Sequence, residues 1–586
     1  MKKHSSAVRS PWWQTGLGLV AVALFVASCR SVGATPDVAP PAHAAAPPAR
    51  AVATFQSVGL YWSPGQEPGD CSVSYQKIGD TGWRDGMPLW FDARDGEYRG
   101  SLVGLEPDAR YRVRMVLNKG AASTELEVAT WPENPPIARV VTLPAGILTT
   151  PYVIDEGGSP AGYVLYQASD AGGTTINVGG ESDHCVRVKS SYVIIRGLRL
   201  EDSARHGLVI EGDRHDIVIE HCDISGWGRI APDGFGENFD SGIYANTPGT
   251  ARLVIRDNRI HHPRSNSNDW SQSRANTGEK LSAHPNGPQG IFIRGSHGNN
   301  VICHNEIFSD ESHRFNDGMG EWNNYSNAGF PGADSDICNN VVTNVADDAM
   351  EIEGSGRNVR VWGNLIDHSY QGIAAAVCNA GPLYIFRNVM GVSRKTVDVE
   401  AGGDNRGSFA KLGDGKGFGG GRIYFFHNTA LQPVSPAGIS LGARCGVADW
   451  GGPMVQVVTR NNIWWMAPPT GGHSSYAISS RTATDTNDFD HDLYTGIVRG
   501  TTPAEPDGIQ AEPNLLPGSV RTSMTPVSWP YLSPASPGYG RAVALPNFND
   551  MPAGGSADIG TAQTGVPAPW IGIRQVPSGA MQRDIK

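Results

Sequence analysis

Hydrophobic and polar positions alternate with period two in short runs between Phe315 and Asn388, and the runs recur. A small residue and an aliphatic open a strand at Gly318-Met319, Ala349-Met350 and Gly372-Ile373. Each is followed by aliphatic-x-x-Asn-x-aliphatic, at Ile337…Asn340…Val342, Val361…Asn364…Ile366 and Ile385…Asn388…Met390. Asn340 to Asn364 is 24 residues, and Asn364 to Asn388 is 24 again. A fixed period of this size predicts a solenoid, and period-two strands predict a β-solenoid. The repeat extends over 137–495. One corner position is then held by Cys222, Asn258, Asn305, Asn340, Asn364, Asn388, Asn428 and Asn461. Stacked Asn amides can hydrogen-bond from rung to rung.

Alternation also assigns faces. On the strand after the small residue, Leu208/Ile210, Ile243/Ala245, Ile291/Ile293, Met350/Ile352, Ile373/Ala375, Val397/Val399 and Ile439/Leu441 are expected inward. The outward pairs are then Tyr244/Asn246, Phe292/Arg294, Gly320/Trp322, Glu351/Glu353, Ala374/Ala376, Asp398/Glu400 and Ser440/Gly442. In this register Glu321 points inward. Long insertions enter this strand before Gly242 and Gly290 and leave it at 320–335, 401–420 and 442–455. Loops gathered along one face of a repeat array mark a binding face, so this strand should floor a groove. On the next strand Trp362, Phe386 and Phe426 form an outward column, read as structural packing.

The rest of the chain divides around the solenoid. Residues 1–28 have a basic start (Lys2, Lys3, Arg9) and a short apolar run, Gly16 to Ala27, as a signal peptide does. Val26-Ala27-Ser28-Cys29 resembles a bacterial lipobox, which implies lipidation of Cys29 and a place in the cell envelope. Residues 29–50 are a Pro/Ala-rich tether. Residues 51–133 alternate around Trp62, Tyr75 and Trp83. Leu105-x-Pro107-x-x-x-Tyr111 before an alternating strand resembles the fibronectin type III domain, where that Tyr makes a tyrosine corner. The prolines at 132, 135 and 136 mark a junction, so deletion of 30–133 is expected to leave a folded, active solenoid. Residues 496–586 are expected to be an irregular cap on the last rung.

Composition narrows the partners. The net charge of −11 argues against nucleic acid but leaves room for an acidic polysaccharide in a local groove. Seven scattered cysteines follow Cys29, without zinc spacing or a disulfide framework. Cys303 and Cys338 share a column on successive rungs, within reach of a bond. A monomer is expected, meeting the membrane only through its lipid.

The Asn column, with Val-x-Ile-x-Gly-Leu at Val193–Leu198, resembles the right-handed parallel β-helix superfamily to which pectate lyases and polygalacturonases belong. The resemblance implies an all-β fold, a right-handed parallel β-helix behind an N-terminal fibronectin type III-like sandwich. It also implies a carbohydrate-active protein. The Asn-Thr-Asp, Gly-His-Gly and Arg-Ile-Lys signatures of polygalacturonases are absent, so membership of that family is not assigned.

The chemistry is expected at Asp347-Asp348-Ala349-Met350-Glu351-Ile352-Glu353, the densest acidic strand. Glu351 and Glu353, two apart on the floor, suit a general acid and base for glycosidic hydrolysis. They could equally hold a hard cation such as Ca²⁺. Stacking brings Asp317 and Asp348 together, where each raises the other's pKa or both share a cation. Arg294 can clamp a sugar carboxylate or act as a base. Trp322 can stack on a sugar ring. Asp347, Asp398, Glu400 and His284 complete the expected substrate contacts, with Lys280 and Arg314 as further loop cations. Carboxylates outnumber bases on this floor, which favours a hydrolase. A Ca-dependent lyase and a non-catalytic carbohydrate-binding protein are the alternatives.

Overall fold

The computed structural model describes residues 48–275, 281–396, 406–469, 472–482, 484–517, 529–550 and 555–574. The leader, Cys29, Lys280, Asp398 and Glu400 lie outside them. Among the described residues there is no α-helix. Three parallel sheets, of 12, 12 and 13 strands, coil around one core from Ile137 to Gln510. The rungs therefore run past the expected boundary at 495. Leu208, Ile243, Ile291, Met350 and Ile373 stack in the core at full burial, as alternation requires.

The Asn column forms a continuous ladder. Asn258 Nδ2 donates to Asn305 Oδ1 at 3.0 Å, Asn305 to Asn340 at 3.0 Å, and Asn340 to Asn364 at 2.9 Å. Asn364 donates to Asn388 at 2.9 Å, Asn388 to Asn428 at 3.1 Å, and Asn428 to Asn462 at 2.9 Å. Asp492 ends the row as an acceptor from Asn462. The eighth member is thus Asn462, and Asn461 is the corner residue before it. That preceding residue is left-handed in every rung from His221 through Asp257, His304, Asn339, Gly363, Arg387 and His427 to Asn461. Only Gly363 adopts this backbone without steric cost; the others are held there by the ladder on one side and by further contacts on the other.

One sheet of the solenoid carries the strands expected to floor the groove. Toward its C-terminal edge its strands are Gln289–Ile293, Met319–Gly320, Asp348–Glu351, Gln371–Ala375, Ser408–Leu412, Cys445–Asp449, Tyr476–Ser479 and Ile497–Arg499, in that order. Two expected rungs are displaced. The strand beside Gln371–Ala375 is Ser408–Leu412 rather than 397–400, and the next is Cys445–Asp449 rather than 439–442. Ala410 faces the core beneath Ile373, and Lys411 faces outward beside Ala374.

Residues 50–129 form a seven-stranded antiparallel array in the order Arg50–Ala53, Val58–Trp62, Glu97–Leu102, Arg84–Asp92, Cys71–Lys77, Arg110–Leu117, Ala122–Ala129. It closes on its own core of Leu60, Val73, Tyr98 and Val113. The Tyr111 hydroxyl accepts the Glu106 N–H at 2.9 Å, the contact a tyrosine corner makes. The array is docked on the second sheet of the solenoid. Thr54 Oγ1 donates to Asp336 at 2.5 Å, Tyr61 to Asp334 at 2.7 Å, and Arg99 to the Ala380 carbonyl at 3.1 Å. A Cβ on Gly59 would stand 2.1 Å from Asp334 Oδ1, so only glycine allows the approach. Beneath the contact Arg360 Nε donates to Asp336 at 2.5 Å, both side chains buried. The expectation of a dispensable N-terminal segment is therefore revised: its removal would expose a buried ion pair.

Trp362, Phe386 and Phe426 are structural packing as expected, covered by Phe548 and by Val103 of the N-terminal array. Cys303 and Cys338 are register partners with free, buried thiols; the bond that their shared column makes possible is not formed. The described residues after 529 do not simply cap the last rung. They run back along the column of left-handed corners. Val543 meets Asn461, Thr561 meets Arg387 and His427, Gly572 meets Asn339, and Arg574 meets Asp257 at 2.7 Å.

Candidate active site

The sheet order brings two adjacent rungs of acidic residues together. Asp317 enters at Met319–Gly320, Asp347 and Asp348 at the next strand, and Glu351 and Glu353 at its end. Gly320 is what admits Glu351: a Cβ there would lie 2.7 Å from the Glu351 Cβ. Oxygens of Asp317, Asp347 and Asp348 lie within 4.8 Å of one another, and so do those of Asp348, Glu351 and Glu353. Asp317 is fixed by Gln289 Nε2 at 2.9 Å and accepts the Asp348 N–H at 3.2 Å. The expected stacking of Asp317 and Asp348 is thus present.

Lys411 reaches into the middle of this group. Its Nζ lies 2.6 Å from Asp348 and 3.3 Å from Glu353. Burial works against the ammonium, but the Asp348, Glu353, Asp347 and Glu351 charges override it and hold Lys411 well above its usual range. Sequence reasoning missed this residue by one misplaced rung. The signal for it was the single Lys within Phe409-Ala410-Lys411-Leu412.

The two expected glutamates differ sharply. Glu351 is half-buried at the floor. Glu353 is buried, with Oε1 accepting the Ala376 N–H at 3.1 Å and Gly329 of the 320–335 loop packed on its carbonyl. It is therefore a support for Lys411 rather than an exposed floor residue. Glu321 does not point inward as expected. The strand stops at Gly320, and the Glu321 carboxylate accepts the N–H groups of Trp322 and Asn323 at 3.0 and 2.8 Å.

The substrate-contact candidates are partly gathered. Arg294 lies 3.7 Å from Glu321 and 4.0 Å over the Trp322 ring, and Trp322 stays 49% exposed. His284 is 3.4 Å from Asp347 and packs on Trp270. Arg314 is buried, donating to Asn266 and Ser267, and so is structural. Ahead of the acids the floor is aromatic: His206, Tyr244 and Phe292 stack at 3.8 and 5.2 Å.

Burial sets the electrostatics. Asp317 is pushed up to about 7, first by burial and then by the Asp348 charge. Asp347, Glu351 and Glu353 move the same way, again by burial first. A carboxyl with a raised folded pKa binds more protons folded than unfolded. Its contribution is complete below its unfolded pKa of about 4 and is lost as pH rises through about 7. Lys411 stays charged across this window and does not cancel the trend. In chelator, melting temperature is therefore expected to fall from about pH 5 to about pH 8. A divalent cation should flatten the curve. A melting temperature in chelator that is level across this range would show that the acids are already ionised in the folded protein at pH 5 and that folding does not raise their pKa values.

The donor set fits a hard cation. All five candidate ligands are carboxylates, and Asp348 Oδ1 and Glu353 Oε2 are buried without a hydrogen-bond partner.

Residues 181–388 match the family model for the right handed beta helix region, the hand that the sequence resemblance implied. No curated protein matches the chain. Among solved structures, pectate lyase Pel9A is 10% identical, covering 74% of this chain and 91% of its own, with a TM-score of 0.38. A mannuronic acid specific family 6 polysaccharide lyase from human gut microbiota is 11% identical over 62% of this chain and 76% of its own, with a TM-score of 0.28. A family 28 exopolygalacturonase from Yersinia enterocolitica is 11% identical over 79% of this chain and 99% of its own, with a TM-score of 0.21. These likenesses are distant, and the site rests on its own residues.

Proposed function

We propose that the groove cleaves an acidic polysaccharide by β-elimination, with Lys411 as the base. The observation that carries this reading is a lysine among buried carboxylates on the sheet face expected to floor the groove. Hydrolysis by Glu351 and Glu353, the first expectation, loses one member, because Glu353 is spent on Lys411 and Ala376. A divalent cation held by Asp317, Asp347 and Asp348 would neutralise a uronate carboxyl and take the negative field off Lys411. The neutral amine then removes the proton on the carbon next to that carboxyl. The C–H pair becomes the new double bond, and the C–O bond to the leaving sugar breaks. Glu351, whose carboxyl burial pushes above the usual range, donates to the leaving oxygen. Arg294 and Trp322 bind the adjoining sugar at the rim.

The same reading takes the N-terminal array as fibronectin type III-like, supported by its strand order and by Tyr111. It places the chain in the cell envelope through a lipid at Cys29.

The test is digestion of uronic-acid polysaccharides with and without chelator. An unsaturated product absorbing in the ultraviolet, formed only with divalent cation, is expected. New reducing ends without that absorbance would assign hydrolysis instead, and binding without cleavage a non-catalytic role.

A further inference from the structure

The second sheet of the solenoid is bordered by a column of left-handed residues: Tyr192, Asp216, Arg252, Asn299, Asp334 and Asn358. The last three hold the N-terminal array. Asn299 donates to the Ala53 carbonyl at 3.0 Å, Asp334 accepts the Tyr61 hydroxyl at 2.7 Å, and Asn358 donates to the Leu60 carbonyl at 3.3 Å. The first three line a cavity of about 520 Å³ instead, together with Phe55, Trp131 and His215. That volume is within the range of small-ligand sites. A left-handed backbone is costly for a ring as large as that of Tyr192, and such strain persists only where the surroundings fix it.

The charges around this cavity are already matched. Asp216, buried, accepts the Tyr163 hydroxyl at 3.0 Å and Arg252 Nε at 2.8 Å, and its second oxygen lies 2.8 Å from His215 Nδ1. Arg256 pairs with Glu220 at 2.6 Å, and Glu133 lies 3.7 Å from Arg574. Each aspartate, glutamate and arginine of the lining thus has its counter-charge, and nothing is left over to draw in an anion. What the cavity offers is uncharged. A carboxylate at Nδ1 takes that N–H, so the neutral His215 ring keeps Nε2 as an acceptor, on a side chain 41% exposed. The rings brace one another edge-on, Tyr163 to Tyr192 at 5.5 Å, Tyr192 to His215 at 5.2 Å and Phe55 to Trp131 at 5.4 Å. Fixed aromatic surface edged by hydrogen-bonding groups matches a sugar ring, whose C–H face stacks while its hydroxyls reach the edges.

We propose that this cavity is a second carbohydrate site, which binds a neutral stretch of glycan by stacking and by uncharged hydrogen bonds. It lies on a different sheet from Lys411, goes beyond the reading of the acidic strand and does not rest on it. Phe55 and Trp131 come from the N-terminal array and its exit, and the other walls from the first rungs, so the docked array completes a binding site as well as covering buried ion pairs. A glycan long enough to reach both sites would be held on two faces at once, the second contact forming within the complex.

The test is Tyr192→Asn, run beside the wild type in native gels containing galactan, xylan, glucomannan, dextran or the acidic polygalacturonate, with chelator present, at low and at high salt. Asn takes the left-handed backbone more readily than Tyr, so the variant should keep the wild-type melting temperature. Retardation of the wild type by at least one neutral glycan, equal at both salts, is expected, with an affinity about tenfold weaker in the variant. If Tyr192→Asn melts earlier than the wild type, His215→Ala, which removes the acceptor, decides in its place. Trp322→Ala, beside the acidic strand, should be retarded as the wild type is. A wild type retarded by no neutral glycan overturns the site. So does retardation that is lost at high salt, kept in full by the deciding variant, or lost in Trp322→Ala. Elimination is judged separately by the ultraviolet product. Neutral-glycan binding without that product keeps this site and removes the reaction; the product without such binding does the reverse.

Discussion

Lys411→Met is expected to lower turnover roughly 10²–10⁴ fold while substrate binding persists. Methionine fills similar space but removes the amine that lies 2.6 Å from Asp348 and 3.3 Å from Glu353. The variant should also lose stability at neutral pH, since buried carboxylates lose their counter-charge. That second effect clouds the first, so Lys411→Arg separates them. Arginine keeps the positive charge but cannot give up its proton in a protein. It should recover most of the melting temperature and little of the turnover. If Lys411→Arg were as active as the wild type, the base would lie elsewhere and Lys411 would be a structural ion only.

Asp336→Ala is expected to cost about 3–5 kcal/mol of stability, although it lies on a different sheet from the groove. The substitution leaves the Arg360 guanidinium buried without its carboxylate partner and takes the nearer acceptor from Thr54. Deletion of residues 48–133 should be worse, because Asp334, Asp336 and Tyr384 then lose the array that covers them. Arg114→Gln, which breaks the exposed pair with Glu125 and a cation–π contact with Trp83, should stay within about 1 kcal/mol and serves as control. Urea unfolding followed by circular dichroism measures all three. A deletion product that melts with the full chain would show that the interface is incidental.

Much of the solenoid was legible because its rules are local. Alternation placed Met350 and Ile352 inside and Glu351 on the floor, and the 24-residue spacing of the Asn column set the rungs around it. Errors arose where two readings obey the same local rule. Val397-Asp398-Val399-Glu400 alternates better than Ser408–Leu412, and nothing local limits a loop's length, so the Lys411 rung was placed too early. Asn461 and Asn462 are adjacent, and only the ladder bonds choose between them. The burial of Glu353 depends on the 320–335 loop folding over it, and period-two patterning carries no information about that. The docking of the N-terminal array was hidden for a similar reason. Asp336 and Arg360 read as ordinary outward residues until the surface that buries them is in place.

The segment that ends the described chain changes how the whole stack would come apart. A solenoid is a one-dimensional lattice in which each rung touches only its neighbours, so its ends fray at little free-energy cost. Here the described residues between Val543 and Arg574 meet corners from Asn461 back to Asp257. Opening any rung between them also requires a length of that segment to lift. The polar corner side chains of Asp257, Arg387, His427 and Asn461, with the Asn339 carbonyl, are its footholds, and this accounts for four side chains that no β-strand rule would select there. The groove sits on the same rungs, so the segment acts as a backbone splint that converts a row of weakly coupled layers into one cooperative block beneath the carboxylates.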